Sequence, residues 1–301
     1  MRAGQLTVVR YGHTSALPHR FIVLIAALAA FALVACGGDT KAPATPSATV
    51  DPATSTATPT RPPLTGKITV FATSSLTDVY KTIGKSFQEK NPGVTVEFNF
   101  ASSSALETQI EQAAPADVFA SADLANMQKA RDKSLIEGAP VNFARNVPVI
   151  VVPAANKAAI AVPKDLAKAG VKLVLAGPDV PIGNYARQVI DKLAADPAIG
   201  AAFKDATLKN LVSNEANVRA VLTKVELGEA DAGIVYKTDA LVSGPKVTTV
   251  AIPDAANVIA VYPIAVVKGS KNAVVAAEFV AYVKGADGQA ALKAAGFDPA
   301  P

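Results

Sequence analysis

The sequence predicts an α/β protein built as two lobes with a cleft between them. From Lys67 onward, short apolar runs alternate with stretches of helical periodicity. The order is strand then helix, repeated, which implies parallel strands joined by right-handed crossovers. The stretch from Lys67 to Pro301 is large for one sheet, and it contains no internal repeat.

The elements follow in order. Residues 67–71 form a short apolar strand. Residues 76–90 place Leu76, Val79, Tyr80, Ile83 and Phe87 at helical spacing, and Asn91-Pro92-Gly93 ends that helix. Residues 94–100 alternate as a strand, and Ala101-Ser-Ser-Ser104 leads into a helix to about Ala113. A third strand spans 115–119 and a helix 124–133. Strands are expected at 147–152 and 173–175, and a loop at 177–184 feeds a helix at 185–194. A helix over 214–227 puts Val218, Val221, Leu222 and Val225 on one face. Strands at 232–236, 248–252 and 258–267 follow, and helices at 273–283 and 289–295 close the chain.

Composition excludes most enzyme classes. The only cysteine is Cys36, and the only histidines, His13 and His19, precede it. The chain beyond Cys36 therefore cannot run a Ser-His-Asp or Cys-His mechanism or hold a His-ligated zinc. There is no tryptophan to stack a sugar. Three of the 29 basic side chains precede Cys36 and none of the 25 acidic ones does, so the remainder is close to neutral despite a net charge of +4. That gives no basic face for nucleic acid.

The N-terminal residues read as an export signal. Residues 1–20 carry Arg2, Arg10 and Arg20, and 21–35 are uniformly apolar. That run is short for a membrane span and suits a signal-peptide core. It ends in Leu33-Val34-Ala35-Cys36, which resembles a bacterial lipobox, so 1–35 is expected to be a lipoprotein signal peptide with Cys36 lipidated. Residues 36–66, rich in Thr, Pro, Ala and Ser, read as a disordered tether.

The chemistry concentrates at strand-to-helix turns. In Phe71-Ala-Thr-Ser-Ser-Leu-Thr77, the hydroxyls of Ser74 and Ser75 meet backbone N–H groups that the helix start leaves unpaired. That combination suits an anion. Ser103 stands at a similar turn. Alone, Ser75 and Ser103 read more readily as plain helix N-caps; two such turns in one βαβ lobe, together with the family resemblance that follows, favour a ligand role.

Five motifs resemble, in order, the periplasmic molybdate-binding proteins of ABC importers. They are KITVFATSSLTD (67–78), FASSSALETQIEQAAPADVFASAD (100–123), GPDVPIGNYARQ (177–188), NVRAVLTKVELGEADAGIVYKTDA (217–240) and YPIAVVKG (262–269). The resemblance implies a type II solute-binding fold, with lobe 1 at 67–146 plus 269–301 and lobe 2 at 147–268. It implies that Ser75 and Ser103 bind a tetrahedral oxyanion through hydroxyl and N–H, Ile182 and Val218 through backbone N–H, and Tyr236 through its phenol. Ser74, Ser104 and Asn217 would support them. The ligand would be molybdate or tungstate, with no catalytic residue, no cofactor and no cation ligand. The partners implied are a permease with a cytoplasmic ATPase and the membrane at which Cys36 anchors an extracytoplasmic monomer.

Two positions depart from the family pattern. Ile182 replaces a small residue and Asn217 an aspartate, though Asn217 can still cap its helix. Arg145, Arg187 and Arg219 are rival anion clamps, for which surface or hinge pairing is the expected role. Asp117 and Asp123 are the only carboxylates that suggest a hydrolase, and capping or lobe packing is expected of them. A receptor for sulfate or another oxyanion is the alternative within the same class, and a secreted carboxylate hydrolase the alternative outside it.

Overall fold

The computed structural model describes residues 62–300, all within one contact-defined unit. The expected signal peptide, the Cys36 lipidation and nearly all of the tether lie outside the described residues. The chain enters the first lobe through β1 (Thr65–Thr73), a 3-10 turn (Ser74–Leu76) and α1 (Thr77–Lys90). It continues through β2 (Gly93–Ala101), α2 (Ser103–Glu111), β3 (Val118–Ala120), α3 (Leu124–Asp132) and β4 (Ile136–Asn146).

The second lobe holds β5 (Pro148–Pro153), β6 (Leu173–Ala176), α4 (Pro181–Ala195), α5 (Ala202–Lys209) and β7 (Leu211–Glu215). Then come α6 (Val218–Glu226), β8 (Ala232–Tyr236), α7 (Lys237–Ser243) and β9 (Val247–Val250). The chain returns to the first lobe as β10 (Ala260–Val267), α8 (Ala273–Lys284), α9 (Ala286–Ala294) and β11 (Asp298–Pro299).

The two sheets share a plan. The first has the order β11-β4-β10-β3-β1-β2, the second β7-β6-β8-β5-β9. In each, three neighbouring strands are parallel, β2-β1-β3 and β7-β6-β8. The remaining strands run antiparallel to their neighbours. The parallel trios end at the turns that carry the candidate residues, and in such sheets ligands bind beyond the strands' carboxyl ends.

One boundary differs from expectation. The sequence places residues 258–267 in lobe 2, but β10 pairs with β3 and β4 and so belongs to the first sheet. The return crossing therefore falls between Val250 and Ala260, not at 268. The apolar run of β10 is compatible with either sheet; only its partners decide. The chain first passes from one sheet to the other between Asn146 of β4 and Pro148 of β5.

Among the described residues, five of these elements escaped sequence reading: β4, α5, β7, α7 and the two-residue β11. β4 carries Pro140 and a left-handed Gly138 and is exposed along much of its length. β7 is half exposed, and its residues were partly assigned to the following helix. α4 starts earlier than expected because Pro181, whose missing N–H is no loss at a first helical position, opens it.

Aromatic and aliphatic side chains fill the cores. In the first lobe, fully buried Tyr80 of α1 meets Phe98, Phe143 and Phe279 with ring centroids 6.0–6.2 Å apart. In the second, α6 lays Val221 and Val225 so closely on β8 that a Cβ on Gly233 would stand 2.7 Å from Val221 Cγ1. Each fully buried aliphatic or aromatic side chain contributes about 1.5–3 kcal/mol.

Candidate oxyanion site between the lobes

The first lobe offers hydroxyls. β1 runs directly into the 3-10 turn, which buries Ser74 and Ser75. Ser75 Oγ lies 3.0 Å from Tyr262 Oη, while Ser74 Oγ is buried with no hydrogen-bond partner. At the next turn the three serines divide their roles. Ser102 caps α2, its Oγ accepting from Ala105 N at 3.3 Å and standing 3.3 Å from Ser104 Oγ. Ser103, the first residue of α2, is completely buried, and its Oγ accepts from Ala122 N at 2.9 Å.

The second lobe offers backbone. Ile182 is the second residue of α4, where helix geometry leaves its N–H without an intrahelical acceptor. The helix start is pressed onto the end of β6, since a Cβ on Gly183 would run into the carbonyl oxygens of Gly177 and Ala176. Arg187 ties the same corner together through Ala176 O, Gly183 O and Asn214 Oδ1. At α6, Asn217 Oδ1 accepts from Arg219 N at 2.9 Å and Ala220 N at 3.1 Å. Asn217 is thus the helix cap, and the cap leaves the N–H of Val218 itself outside the intrahelical pattern.

Tyrosines bridge the lobes. Tyr236, the last residue of β8, has its ring 5.8 Å from that of Tyr262 on β10 and 6.5 Å from that of Tyr185 on α4. Tyr236 Oη is buried and has no hydrogen-bond partner. Burial above all pushes the Tyr236 and Tyr262 phenols well above their ordinary value, so both stay protonated donors. Ser75, Ser103, Ile182, Val218 and Tyr236 are each at most 3% exposed, and none carries charge.

An ion-pair chain also crosses between the lobes. Arg219 Nη2 of α6 donates to Asp78 Oδ2 of α1 at 2.7 Å, and Arg219 Nε stands 2.7 Å from Asp239 Oδ1 of α7. Asp239 also accepts from Tyr236 N. Burial raises the Asp239 carboxyl to about 6, with the Arg219 charge opposing the shift.

The remaining rivals have structural partners. Arg145 Nε donates to Pro299 O at 2.7 Å. Asp117 accepts from Thr69 N and from the Ser270 hydroxyl, and Asp123 caps α3 through Asn126 N. Among the described residues no cluster of His, Cys, Asp and Glu could hold a metal ion.

Sequence reading missed Tyr262, Asn146 and the partners of Arg219. Tyr262 opens the YPIAVVKG motif, but only the fold carries it to Ser75. Asn146 is completely buried at the crossing, where its Nδ2 donates to Thr238 Oγ1 at 2.8 Å.

Comparison with known proteins agrees with this architecture. Residues 68–298 match the family model of the bacterial extracellular solute-binding proteins. The molybdate-binding protein ModA of Mycobacterium tuberculosis H37Rv is 42% identical over 274 residues, covering 91% of this chain and 95% of that protein. The molybdate-binding protein ModA of Escherichia coli K12 is 38% identical over 244 residues, covering 77% of this chain and 89% of its own length. Among solved structures, the substrate-binding domain of a putative molybdenum ABC transporter from Clostridium difficile superposes with a TM-score of 0.58 at 26% identity, covering 78% of this chain and 99% of that one. With a parallel trio in each sheet, buried donors at the strand ends and these similarities along its length, the chain belongs to the bacterial extracellular solute-binding proteins.

Proposed function

We propose that this protein is the extracytoplasmic solute-binding component of an ABC importer, and that it captures molybdate, with tungstate as a second ligand, between its lobes. One observation carries the reading: the buried Tyr236 phenol, an unpartnered donor beside Ser75's partner Tyr262, among candidate donors that carry no formal charge themselves. A fully ionised tetrahedral dianion accepts hydrogen bonds and donates none, so such donors suit it, and helix N-termini add their positive dipole ends. The two ModA relatives, named for molybdate binding, narrow the choice among oxyanions.

In this reading Ser75 and Ser103 give hydroxyl and N–H, Ile182 and Val218 give N–H, and Tyr236 gives its phenol. Ser74, Ser104 and Asn217 hold the turns in shape. The lobes are 65–146 plus 260–300 and 147–250. Delivery is to a permease driven by a cytoplasmic ATPase, and Cys36 carries a lipid that keeps the monomer at the membrane.

Calorimetry with molybdate, tungstate, sulfate and phosphate tests the proposal. Binding of molybdate and tungstate above sulfate is expected, with no binding of phosphate. A protein that binds none of the four contradicts it.

A further inference from the structure

Of the three proposed side-chain donors, Ser75 and Ser103 each make a hydrogen bond inside the protein, while Tyr236 Oη makes none. The pose of the Tyr236 phenol therefore depends on ring packing and on the backbone that carries it. The rings of Tyr262 and Tyr185 stand 5.8 and 6.5 Å away, one from each lobe.

The backbone is pinned at three successive residues. Tyr236 N donates to Asp239 Oδ2 at 3.3 Å. Lys237 N donates at 2.9 Å to Val147 O, at the crossing between the lobes. Thr238 Oγ1 accepts from Asn146 Nδ2 at 2.8 Å. Asn146 is the last residue of β4, so this third bond reaches the turn from the first lobe. Its polarity is set locally. Val147 N donates to Asn146 Oδ1 at 3.0 Å, and a backbone N–H only donates, so the amide nitrogen is the atom that faces Thr238. Asn146 is completely buried and Thr238 is 2% exposed, so solvent does not compete for the bond. On the outside, Lys237 Nζ adds a partly exposed brace to Asp298 of β11 at 3.2 Å.

Resting on the proposed oxyanion site, we propose that Asn146 and Thr238 are a positioning pair. The Asn146 amide reaches from the first lobe, grips Thr238 and so fixes where the Tyr236 phenol meets the ligand. Neither residue gives a hydrogen bond to the ligand. The second lobe's only side-chain donor is in this way placed by the first lobe, and its placement depends on how the chain is fastened at the crossing. A bond that served folding alone would leave ligand affinity unchanged, or would lower it regardless of what stands at position 236.

Thr238→Val keeps the side chain's shape and removes the acceptor. Calorimetry with molybdate compares the wild type, Thr238→Val, Tyr236→Phe and the two substitutions together. Thr238→Val alone should weaken binding about 5- to 10-fold. In the Tyr236→Phe background the same change should cost less than about 2-fold, because no phenol is left to position. An affinity that Thr238→Val leaves unchanged, or an equal loss in both backgrounds, overturns the proposal. A wild type that binds no molybdate, or a Tyr236→Phe that binds as tightly as the wild type, sinks instead the site reading beneath it.

Should Thr238→Val fail to fold, Thr238→Ser and Thr238→Ala give a second comparison, since they differ from each other by one hydroxyl. Thr238→Ser should bind molybdate about 5-fold more tightly than Thr238→Ala. Equal affinities overturn the proposal.

Discussion

In the proposed site the two lobes supply donors of different kinds. The first presents side-chain hydroxyls: Ser75, whose Oγ is hydrogen-bonded to Tyr262 Oη, and Ser103, whose Oγ accepts from the Ala122 N–H. The second presents backbone N–H groups at Ile182 and Val218, whose side chains pack into the hydrophobic core, and adds the Tyr236 phenol. A hydroxyl can be deleted by one substitution and can be turned by its neighbours. A backbone N–H at a helix start can be neither, so its side chain is free to serve packing. The first lobe should therefore set affinity and selectivity in ways mutation can reach, while the second should resist.

The comparison breaks first at the serines. Ser75→Ala with Ser103→Ala should cost about 3–6 kcal/mol of binding, at roughly 1.5–3 kcal/mol per hydrogen bond to a charged ligand. Calorimetry showing undiminished affinity in the double variant would place the ligand elsewhere. Tyr236→Phe, which tests the second lobe's one side-chain donor, should cost about 1.5–3 kcal/mol by the same scale.

Asp78→Asn should act more weakly, by about 0.2–1 kcal/mol, because the Asp78 side chain is 52% exposed and solvent screens its pair with Arg219. Arg219 can bridge Asp78 and Asp239 only while the lobes meet, so the loss should appear as faster ligand release in stopped-flow traces. Raised salt should weaken the wild type toward the variant. At the small end, Val218→Ala should change binding by less than about 1 kcal/mol. Its cost should fall on stability instead, through the cavity left beside Val221 and Val225 in the lobe 2 core. A large binding loss with stability unchanged would mean the side chain, not the backbone, contacts ligand.

A pH measurement sharpens the picture at the ion-pair chain. The Asp239 carboxyl has an ordinary value of 3.8 and titrates at about 6 in the folded protein. The folded state therefore holds a proton that the unfolded chain has lost between those values. Asp239's contribution makes stability fall as pH rises through that window. Asp239→Asn should flatten the slope of denaturation midpoint against pH between about 4 and 6; a slope left unaltered would exclude Asp239 as its source.

Much of this was readable in the residues themselves, for physical reasons that differ by element. The helical spacing of Val79, Tyr80, Ile83 and Phe87 located α1 because one face of that helix is buried and the other wet. The same contrast was missing in β4 and β7, which lie half exposed, and both were missed. The turns at Ser75 and Ser103 were visible because local chain order places a hydroxyl at a helix start. Tyr262 was not, since its meeting with Ser75 spans 187 positions of sequence and depends on β10 joining the first sheet. The same misassigned strand moved a lobe boundary and concealed a neighbour of the site. Arg219 pairs as expected, but its partners Asp78 and Asp239 lie on α1, far off in sequence, and on α7, and only the fold brings the three together.

The most direct measurement is a crystal structure of the molybdate complex, with anomalous diffraction collected at the molybdenum edge. The expected result is a single peak between the lobes, its oxygens within hydrogen-bond distance of Ser75 and Ser103 Oγ, Ile182 and Val218 N, and Tyr236 Oη, with no Arg or Lys in contact. A peak elsewhere, or one clamped by Arg219, would contradict a neutral donor site.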